Sequence, residues 1–572
     1  MADKTINKYS FQMKKLISTL LTLLIFAVGS AMAQRANYQI IPLPKQVEVD
    51  QTQAFTLQNG MGVSFDASNP EILRNAQFLC QWVEQSTGVK LLTTPNDQKA
   101  AIRLIIGMDA DSKSKKGKKV EEPQPLKEQQ QEAYKIKVGE NGISIYAHNP
   151  IGFFRAAQTL RKALPIVKQG EEAKIELPYA TIQDEPRFVY RGVLLDCARH
   201  FFSVEMIKEF IDVMALHGCN QFHWHLTEDQ GWRFEVKSMP ELALRGSIRE
   251  QTVIGPNSGI YDGIPHGGYY TQDECRDVVK YAAERYINVI PEIDLPGHMQ
   301  SALHVYPELG CTGGPYPVRT YWGVSREVLC GGNPETLTFL KKVLSEVCDV
   351  FPSKIIHIGG DEVPKDRWKV CPKCQAKIKE LGIKDDGKHS PENQLQSYIN
   401  KEIEAFLAER GRDIIGWDEI LEGGLSGKSI IMSWRGTKGG VEAAKQGHRV
   451  IMSPNVYSYI DHPQLKDVAK QPRTTGSYIV SASKVHSFEP LIPETLSDEE
   501  QDYILGSQVN LWTEHVAYPE HAFYQLLPRL GAASEVQWCR PDQKDFESFK
   551  ERLPQLKKLY DLMGVPYCNG LE

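Results

Sequence analysis

Between about residues 188 and 565 the chain alternates short apolar segments with helical stretches, and few folds accept that pattern. The segments are Gly192–Asp196, Gln221–His225, Asn288–Ile293, Lys354–Ile358, Asp413–Trp417, Ile430–Trp434, Arg449–Ser453 and Ser507–Trp512. Several are continuous apolar runs rather than alternating ones, as strands buried on both faces require. Helical stripes lie between many of them. From Val204 to Leu216 the residues Ile207, Phe210, Ile211 and Met214 share one face, and the pattern stops at Gly218. From Leu337 to Val347, Leu337, Leu340, Leu344 and Val347 do the same. Eight strand-then-helix units in one region favour a (β/α)8 TIM barrel over an open sheet.

The 572 residues leave room for more than the barrel. From 35 to 187 a smaller α+β domain is expected. Its strands are Ala101–Ile106, Tyr134–Val138 and Ile143–Ala147, followed by a helix over Ile151–Leu164. A Lys/Glu/Gln-rich stretch from about 111 to 132 reads as a solvated insertion. Its interleaved charges lack an aromatic platform for bases. The net charge of −6 likewise gives no reason to expect nucleic acid as a partner. Residues 1–33 read as an export leader: Lys14 and Lys15, an apolar run from Leu16 to Val28, then Ala31-Met32-Ala33 before Gln34. Translation could equally start at Met13. The run is short for a membrane anchor, and no later segment resembles a membrane span. The site after export, whether periplasm, cell surface or medium, is left open.

The 11 cysteines are too dispersed for a small disulfide framework. Cys311 and Cys330 flank a Gly/Pro/Tyr-rich loop and could be bridged. Cys371-Pro372-Lys373-Cys374 has the spacing of half a zinc site, but no second half with comparable spacing is visible. A structural loop or local disulfide is the expectation there, with no metal and no cofactor.

A barrel gathers the C-terminal ends of its strands at one site. Here those ends carry Asp196, Arg199 and His200; His225, Glu228 and Asp229; Glu292, Asp294 and His298; Asp361 and Glu362; Trp417, Asp418 and Glu419; Trp434; Tyr459 and Asp461; Trp512 and Glu514. A lone His or Trp at such a place is usually packing. Carboxylates, histidines and tryptophans at all the ends describe a cleft. Indole rings suit pyranose faces, and carboxylates and Arg suit hydroxyls, so the partner class is a glycan.

Asp361 and Glu362 are adjacent in His357-Ile358-Gly359-Gly360-Asp361-Glu362. Neighbouring Cα atoms stand about 3.8 Å apart and their side chains diverge. An ordinary retaining glycosidase holds its acid and nucleophile on opposite sides of the scissile bond, carboxyls about 5–5.5 Å apart. An adjacent pair suits a different division of labour. Glu362 serves as the acid, while Asp361 polarises a substrate group, such as a 2-acetamido, that attacks internally. The two glycines permit close approach of substrate.

The chain resembles the glycoside hydrolase family 20 β-N-acetylhexosaminidases. The resemblance rests on RGVLLDCARHFF (191–202), HWHLTEDQGWR (223–233), PEIDLPGH (291–298), HIGGDE (357–362), GWDE (416–419), SYID (458–461) and LWTE (511–514), in the family's order. It implies exo action on terminal β-linked GlcNAc or GalNAc by a substrate-assisted, retaining mechanism. Glu362 would be acid and then base, Asp361 would orient the acetamido nitrogen, and Tyr459 would bond its oxygen. Trp417, Trp434 and Trp512 would wall the pocket, Arg199 and Glu514 would bind outer hydroxyls, and Asp461 would help there or position Tyr459. His298, His357 and the pair Glu228/Asp229 would form a supporting network that orients Glu362 and raises its pKa. The family often has Asp where this chain has Glu228, so which acid of the pair does this is open. No Trp lies between Trp434 and Trp512, where some relatives carry a fourth pocket Trp. Tyr478 or Phe488 could fill that wall. Two rival readings share these motifs. One is a relative releasing a disaccharide or a modified, for example sulfated, N-acetylhexosamine. The other is a catalytically silent glycan-binding barrel.

Overall fold

The computed structural model describes residues 33–108 and 128–571, apart from 169, 172, 425, 426 and 477. The leader-like segment and most of the charged stretch fall outside the described residues.

Eight parallel strands close into a barrel. In chain order they are β1 (Tyr190–Asp196), β2 (Gln221–His225), β3 (Asn288–Glu292), β4 (Ile355–His357), β5 (Asp413–Trp417), β6 (Ile430–Ser433), β7 (Val450–Met452) and β8 (Ile504–Leu511). Each pairs with the next, and β8 returns to β1 with Leu511 opposite Leu195. Register aligns the functional ends: His225 lies opposite both Asp196 and Glu292, and Glu292 opposite His357. The Val204–Leu216 helix starts on a Ser203 cap, whose hydroxyl accepts the Met206 amide, and Ile207, Phe210, Ile211 and Met214 are all buried. The Pro334–Val350 helix is capped by Asn333 and buries Leu340, Leu344 and Val347, while Leu337 packs at the edge of the core.

The barrel interior is not purely apolar. Tyr190, Leu194, Ile290, Ile415, Ile430, Met432 and Ile451 pack together with Trp417. Alongside them runs a polar column. The Tyr190 hydroxyl donates to Gln508 Oε1 (2.8 Å), and Gln508 Nε2 donates to His223 Nδ1 (3.0 Å). His223 Nε2 then lies 2.9 Å from Glu292.

The N-terminal region is an eight-stranded mixed sheet. Its long strand Ile175–Asp184 pairs antiparallel with both Gln46–Leu57 and Tyr134–Gly139. The helices Pro70–Thr87 and Pro150–Ala163 pack on it. One feature corrects the reading of 111–132 as solvated throughout. Its end forms a short 3-10 turn, Glu128–Glu132, and Glu132 is buried. That carboxylate bonds Arg155 (2.8 Å) on the sheet's helix and Arg191 (2.7 Å) on β1, tying the sheet to the barrel. Burial opposes its charge, but the two guanidinium groups hold its pKa below the usual glutamate range. Removing one partner of such a buried pair typically costs about 3–5 kcal/mol.

A second correction concerns cysteine. The missing half of a Cys-x-x-Cys site is supplied across the fold, because Cys311 and Cys330 stand beside Cys371 and Cys374. Each of the 11 thiols is free, so neither Cys311–Cys330 nor Cys371–Cys374 is bridged.

Candidate active site

At the end of β1, Asp196 Oδ1 accepts the Ala198 and Arg199 amides (2.9 and 3.1 Å) and its Oδ2 accepts from the Arg199 side chain (3.2 Å). This fixes Arg199, whose other arm bonds Glu228 Oε1 at 2.6 Å and whose guanidinium lies 5.0 Å over the Trp512 ring. Burial would lower the Arg199 pKa, but Glu228, Asp196 and Glu514 outweigh it and hold the pKa well above the usual arginine value.

Glu228, and not Asp229, is the acid in contact with both cations. His298 Nδ1 lies 2.9 Å from Glu228 Oε1 and 3.9 Å from Asp229 Oδ2. Asp229 instead accepts the Gln300 amide (3.0 Å) and faces Arg319 (3.5 Å). Burial and the neighbouring Glu228 charge push its pKa up to about 6. Glu228 is held well below its usual range despite burial, by Arg199 and His298. His298 correspondingly stays an imidazolium: burial opposes this, but Glu228 and Asp294 raise its pKa well above the usual value.

The far edge of His298 meets the dyad. Its Nε2 is 3.7 Å from Asp361 Oδ2 and 3.6 Å from Glu362 Oε2. Two non-glycine residues here occupy the left-handed region, His298 (φ 50°) and Glu362 (φ 47°). Such conformations cost on the order of 1–3 kcal/mol each and persist where surrounding structure enforces them. The turn before the dyad, Gly359-Gly360, packs closely on Asp294. At Gly359 (φ 63°) a Cβ would stand 1.8 Å from Asp294 Oδ1, and the Gly360 amide donates to that same oxygen at 3.1 Å.

The dyad's two carboxyls differ in environment. The Asp361 side chain is 14% exposed and its Oδ1 is a buried atom with no hydrogen-bond partner. The Glu362 side chain is 40% exposed and open to an incoming ligand. Burial first, then the Asp361 charge, raises the Glu362 pKa. His298 and Arg199 act in the opposite direction. The expectation that the His298 network raises this pKa is therefore corrected: a fixed imidazolium at 3.6 Å favours the carboxylate.

Aromatic rings complete the enclosure. Trp512 lies 5.8 Å from Trp417 and 6.1 Å from Tyr459, and Tyr459 stacks on Trp434 at 5.9 Å and 13°. Trp434 donates to Glu419 (2.8 Å), a strand-end residue to which the sequence reading gave no role, and burial and the Asp361 charge raise its pKa to about 9. Asp461 is buried and Glu514 partly so, and burial with the Glu514 charge raises the Asp461 pKa. Each keeps one oxygen without a partner, as does Arg199 its Nε. The fourth-wall candidates separate: Phe488 stacks on Tyr457 in a different core cluster, while Tyr478 stacks on His462, next to Asp461. Trp322, from the loop after β3, lies beside His200 and His515.

Beneath this rim sits Glu292, a strand-end residue likewise given no role in the sequence reading. Its Oε1 accepts from Trp417 Nε1 (3.0 Å) and lies 3.0 Å from His357 Nδ1. Its Oε2 meets His223 and His225. His357 therefore reaches the rim through Glu292 and Trp417, and no contact joins it to Glu362 among the described residues. Burial lowers the His223 pKa to about 4. In His225 burial is outweighed by Glu292 and Glu228, and its pKa rises to about 10. A charged residue inside the otherwise apolar run Val289–Ile293 is the sequence signal for this node.

Comparison with known proteins agrees with this architecture. The glycosyl hydrolase family 20 catalytic domain matches residues 188–541, and that family's domain 2 matches residues 37–185. The chain belongs to glycosyl hydrolase family 20. It is therefore a glycoside hydrolase. A Porphyromonas gingivalis beta-hexosaminidase is 38% identical over 559 residues, covering 96% of this chain and 67% of that protein. A Vibrio furnissii beta-hexosaminidase is 38% identical over 404 residues, covering 70% of this chain and 64% of the relative. The chain thus spans about two thirds of both relatives' length. Among solved structures, a Vibrio harveyi exo-β-N-acetylglucosaminidase in complex with N-acetylglucosamine superposes with a TM-score of 0.77 at 30% identity, covering 95% of this chain and 80% of that one. A Streptomyces plicatus beta-hexosaminidase variant in complex with GlcNAc also gives 0.77, at 26% identity, covering 94% and 98%.

Replacing Glu292 tests the node. Glu292→Gln is expected to drop the His225 pKa from about 10 toward or below the ordinary histidine range, because the largest charge supporting its proton is gone. Histidine-selective NMR titration reads this directly. Urea denaturation should show a loss of about 3 kcal/mol or more at neutral pH.

Proposed function

We propose that the protein is an exo-acting, retaining β-N-acetylhexosaminidase that releases terminal β-linked GlcNAc or GalNAc by attack of the substrate's own 2-acetamido oxygen. The observation that carries this reading is the asymmetry of the dyad. Asp361, largely enclosed, offers a buried, unpartnered oxygen beside an imidazolium, and the more exposed Glu362 has a raised pKa. An acceptor of that kind suits the acetamido N–H. Holding that N–H turns the carbonyl oxygen toward the anomeric carbon and stabilises the charge of the oxazolinium as it forms.

The remaining roles follow from position. Protonated Glu362 gives its proton to the leaving oxygen, then takes one from the water that opens the intermediate. Tyr459, stacked on Trp434, holds the acetamido oxygen. Trp417, Trp434 and Trp512 line the sugar and its methyl. Arg199, Asp461 and Glu514 offer their unpaired buried atoms to hydroxyls at the non-reducing end, which limits attack to a terminal residue. Glu228 positions Arg199 and His298; Asp229 holds the Gln300 and Arg319 backbone and side chain in place. Glu292 and His357 position Trp417.

Matched aryl β-glycosides test the reading. The acetamido sugar should be cleaved and plain glucose left intact; equal cleavage would assign the nucleophile to the protein. Glu362→Gln should lose about 10²–10⁴-fold on poor leaving groups and far less on activated ones. Because the acid form is required, wild-type activity should fall as pH rises through the raised Glu362 pKa, and that limb should vanish in Glu362→Gln. Asp361→Asn should lose about 10²–10³-fold on both leaving groups.

We also propose that the chain is exported, on the basic, apolar and small-residue succession of residues 1–33. N-terminal sequencing of the protein recovered outside the cytoplasm should begin at Gln34. An uncleaved cytoplasmic product would refute export.

A further inference from the structure

Away from the sugar pocket, four cysteines meet. Cys311 and Cys330 bound the loop that follows β3, and Cys371 and Cys374 bracket the start of the Pro372–Glu380 helix. Their sulfurs all lie within 4.8 Å of one another. Sγ separations are 3.6 Å for Cys330–Cys374, 3.7 Å for Cys330–Cys371 and 3.9 Å for Cys311–Cys374. A disulfide needs about 2.05 Å. A tetrahedral zinc with Zn–S bonds near 2.3 Å spaces its sulfurs at about 3.8 Å. The observed separations match the edges of that tetrahedron. Cys330 is nearly equidistant from Cys371 and Cys374, an arrangement with no single partner for a disulfide.

The backbone around the cluster is shaped for the approach. A Cβ on Gly332 would stand 2.1 Å from the Lys373 carbonyl and 2.4 Å from the Cys374 amide, so only glycine lets the two turns touch. Three of the four thiols are buried and Cys311 is partly so.

We infer that these four cysteines form a structural zinc site, closed by four thiolates, that clasps the loop after β3 to the segment leaving Glu362. Four sulfur ligands suit a soft or borderline cation, and zinc takes this set without redox chemistry. Each thiol loses its proton on binding. The site leaves no open position for water, so its contribution is to folding and not to bond cleavage. What it joins gives it a consequence for the pocket. The loop from 311 to 330 carries Arg319, which faces Asp229, and Trp322. The other segment runs from Glu362 through Trp368, whose indole donates to the Leu329 carbonyl (2.9 Å), and Arg367 pairs with Glu327. The clasp thus fixes a wall of the site from outside.

Metal analysis of the purified full chain decides the matter. We expect about one zinc per chain that survives dialysis against a weak chelator and is absent from Cys371→Ser/Cys374→Ser. Replacement by cobalt should give the visible absorption of a tetrahedral thiolate site. Denaturing the zinc-bound chain without reductant should expose all four thiols to a thiol reagent. Removing zinc from the wild type with a strong chelator should lower Tm, and re-adding it should restore Tm; this reads the site even if the double variant does not fold. Wild-type protein without stoichiometric metal, or peptide mapping that finds disulfides among these cysteines, would overturn the assignment.

Discussion

Too many carboxylates share one rim, and the behaviour of the site follows from how that crowding is relieved. Asp196, Glu228, Glu292, Asp294, Asp361, Glu362, Asp461 and Glu514 all sit at or just below the strand ends. The cations among them are Arg199, His225 and His298, with Arg319 at the edge. Glu228 and Glu292 take most of that positive charge and are held well below their usual range. Asp294, Asp361, Glu362, Asp461 and Glu514 are raised, by burial first and then by neighbouring carboxylates. A general acid is what such crowding leaves over: Glu362, whose pKa is raised by its partial burial and by the Asp361 charge beside it.

The barrel makes this crowding possible. Its strands are short and in register, so the side chains of β1 to β4 stack Asp196, His225, Glu292 and His357 in one layer. The next residues out form the pocket. Glu292 is the hinge between layers, with histidines on one side and the Trp417 indole on the other. An ordinary barrel core would fill this level with branched aliphatic residues. Here part of it is a polar column reaching down to Gln508 and Tyr190, so the position of Trp417 is set by hydrogen bonds as well as by packing.

Much of this was legible in the residue order. Doubly buried strands announce themselves as unbroken apolar runs, and all eight expected segments lie in the barrel. The dyad could be read because an adjacent pair of carboxylates stands at the end of the fourth barrel strand, after two glycines. What stayed hidden depended on distance. Whether Glu228 or Asp229 holds His298 turns on 2.9 against 3.9 Å, which no motif encodes. The sign of the His298 effect on Glu362 needs both positions and the charge state. Phe488 and Tyr478 look alike as wall candidates until the chain path sends one into another core cluster. Cys311 and Cys330 lie too far from Cys371 and Cys374 in sequence to read as one cluster, and Glu132 looked solvated because its neighbours are.

In the proposed mechanism the attacking oxygen belongs to the substrate. Aryl β-glycosides with progressively fluorinated 2-acetamido groups test it most directly, since fluorine drains electron density from that carbonyl while leaving the sugar and leaving group alone. With the acetamido oxygen as nucleophile, kcat/KM should fall steeply with each fluorine added. A flat response, with the acyl group's electronics irrelevant to rate, would place the nucleophile on the protein and contradict the role assigned to Asp361.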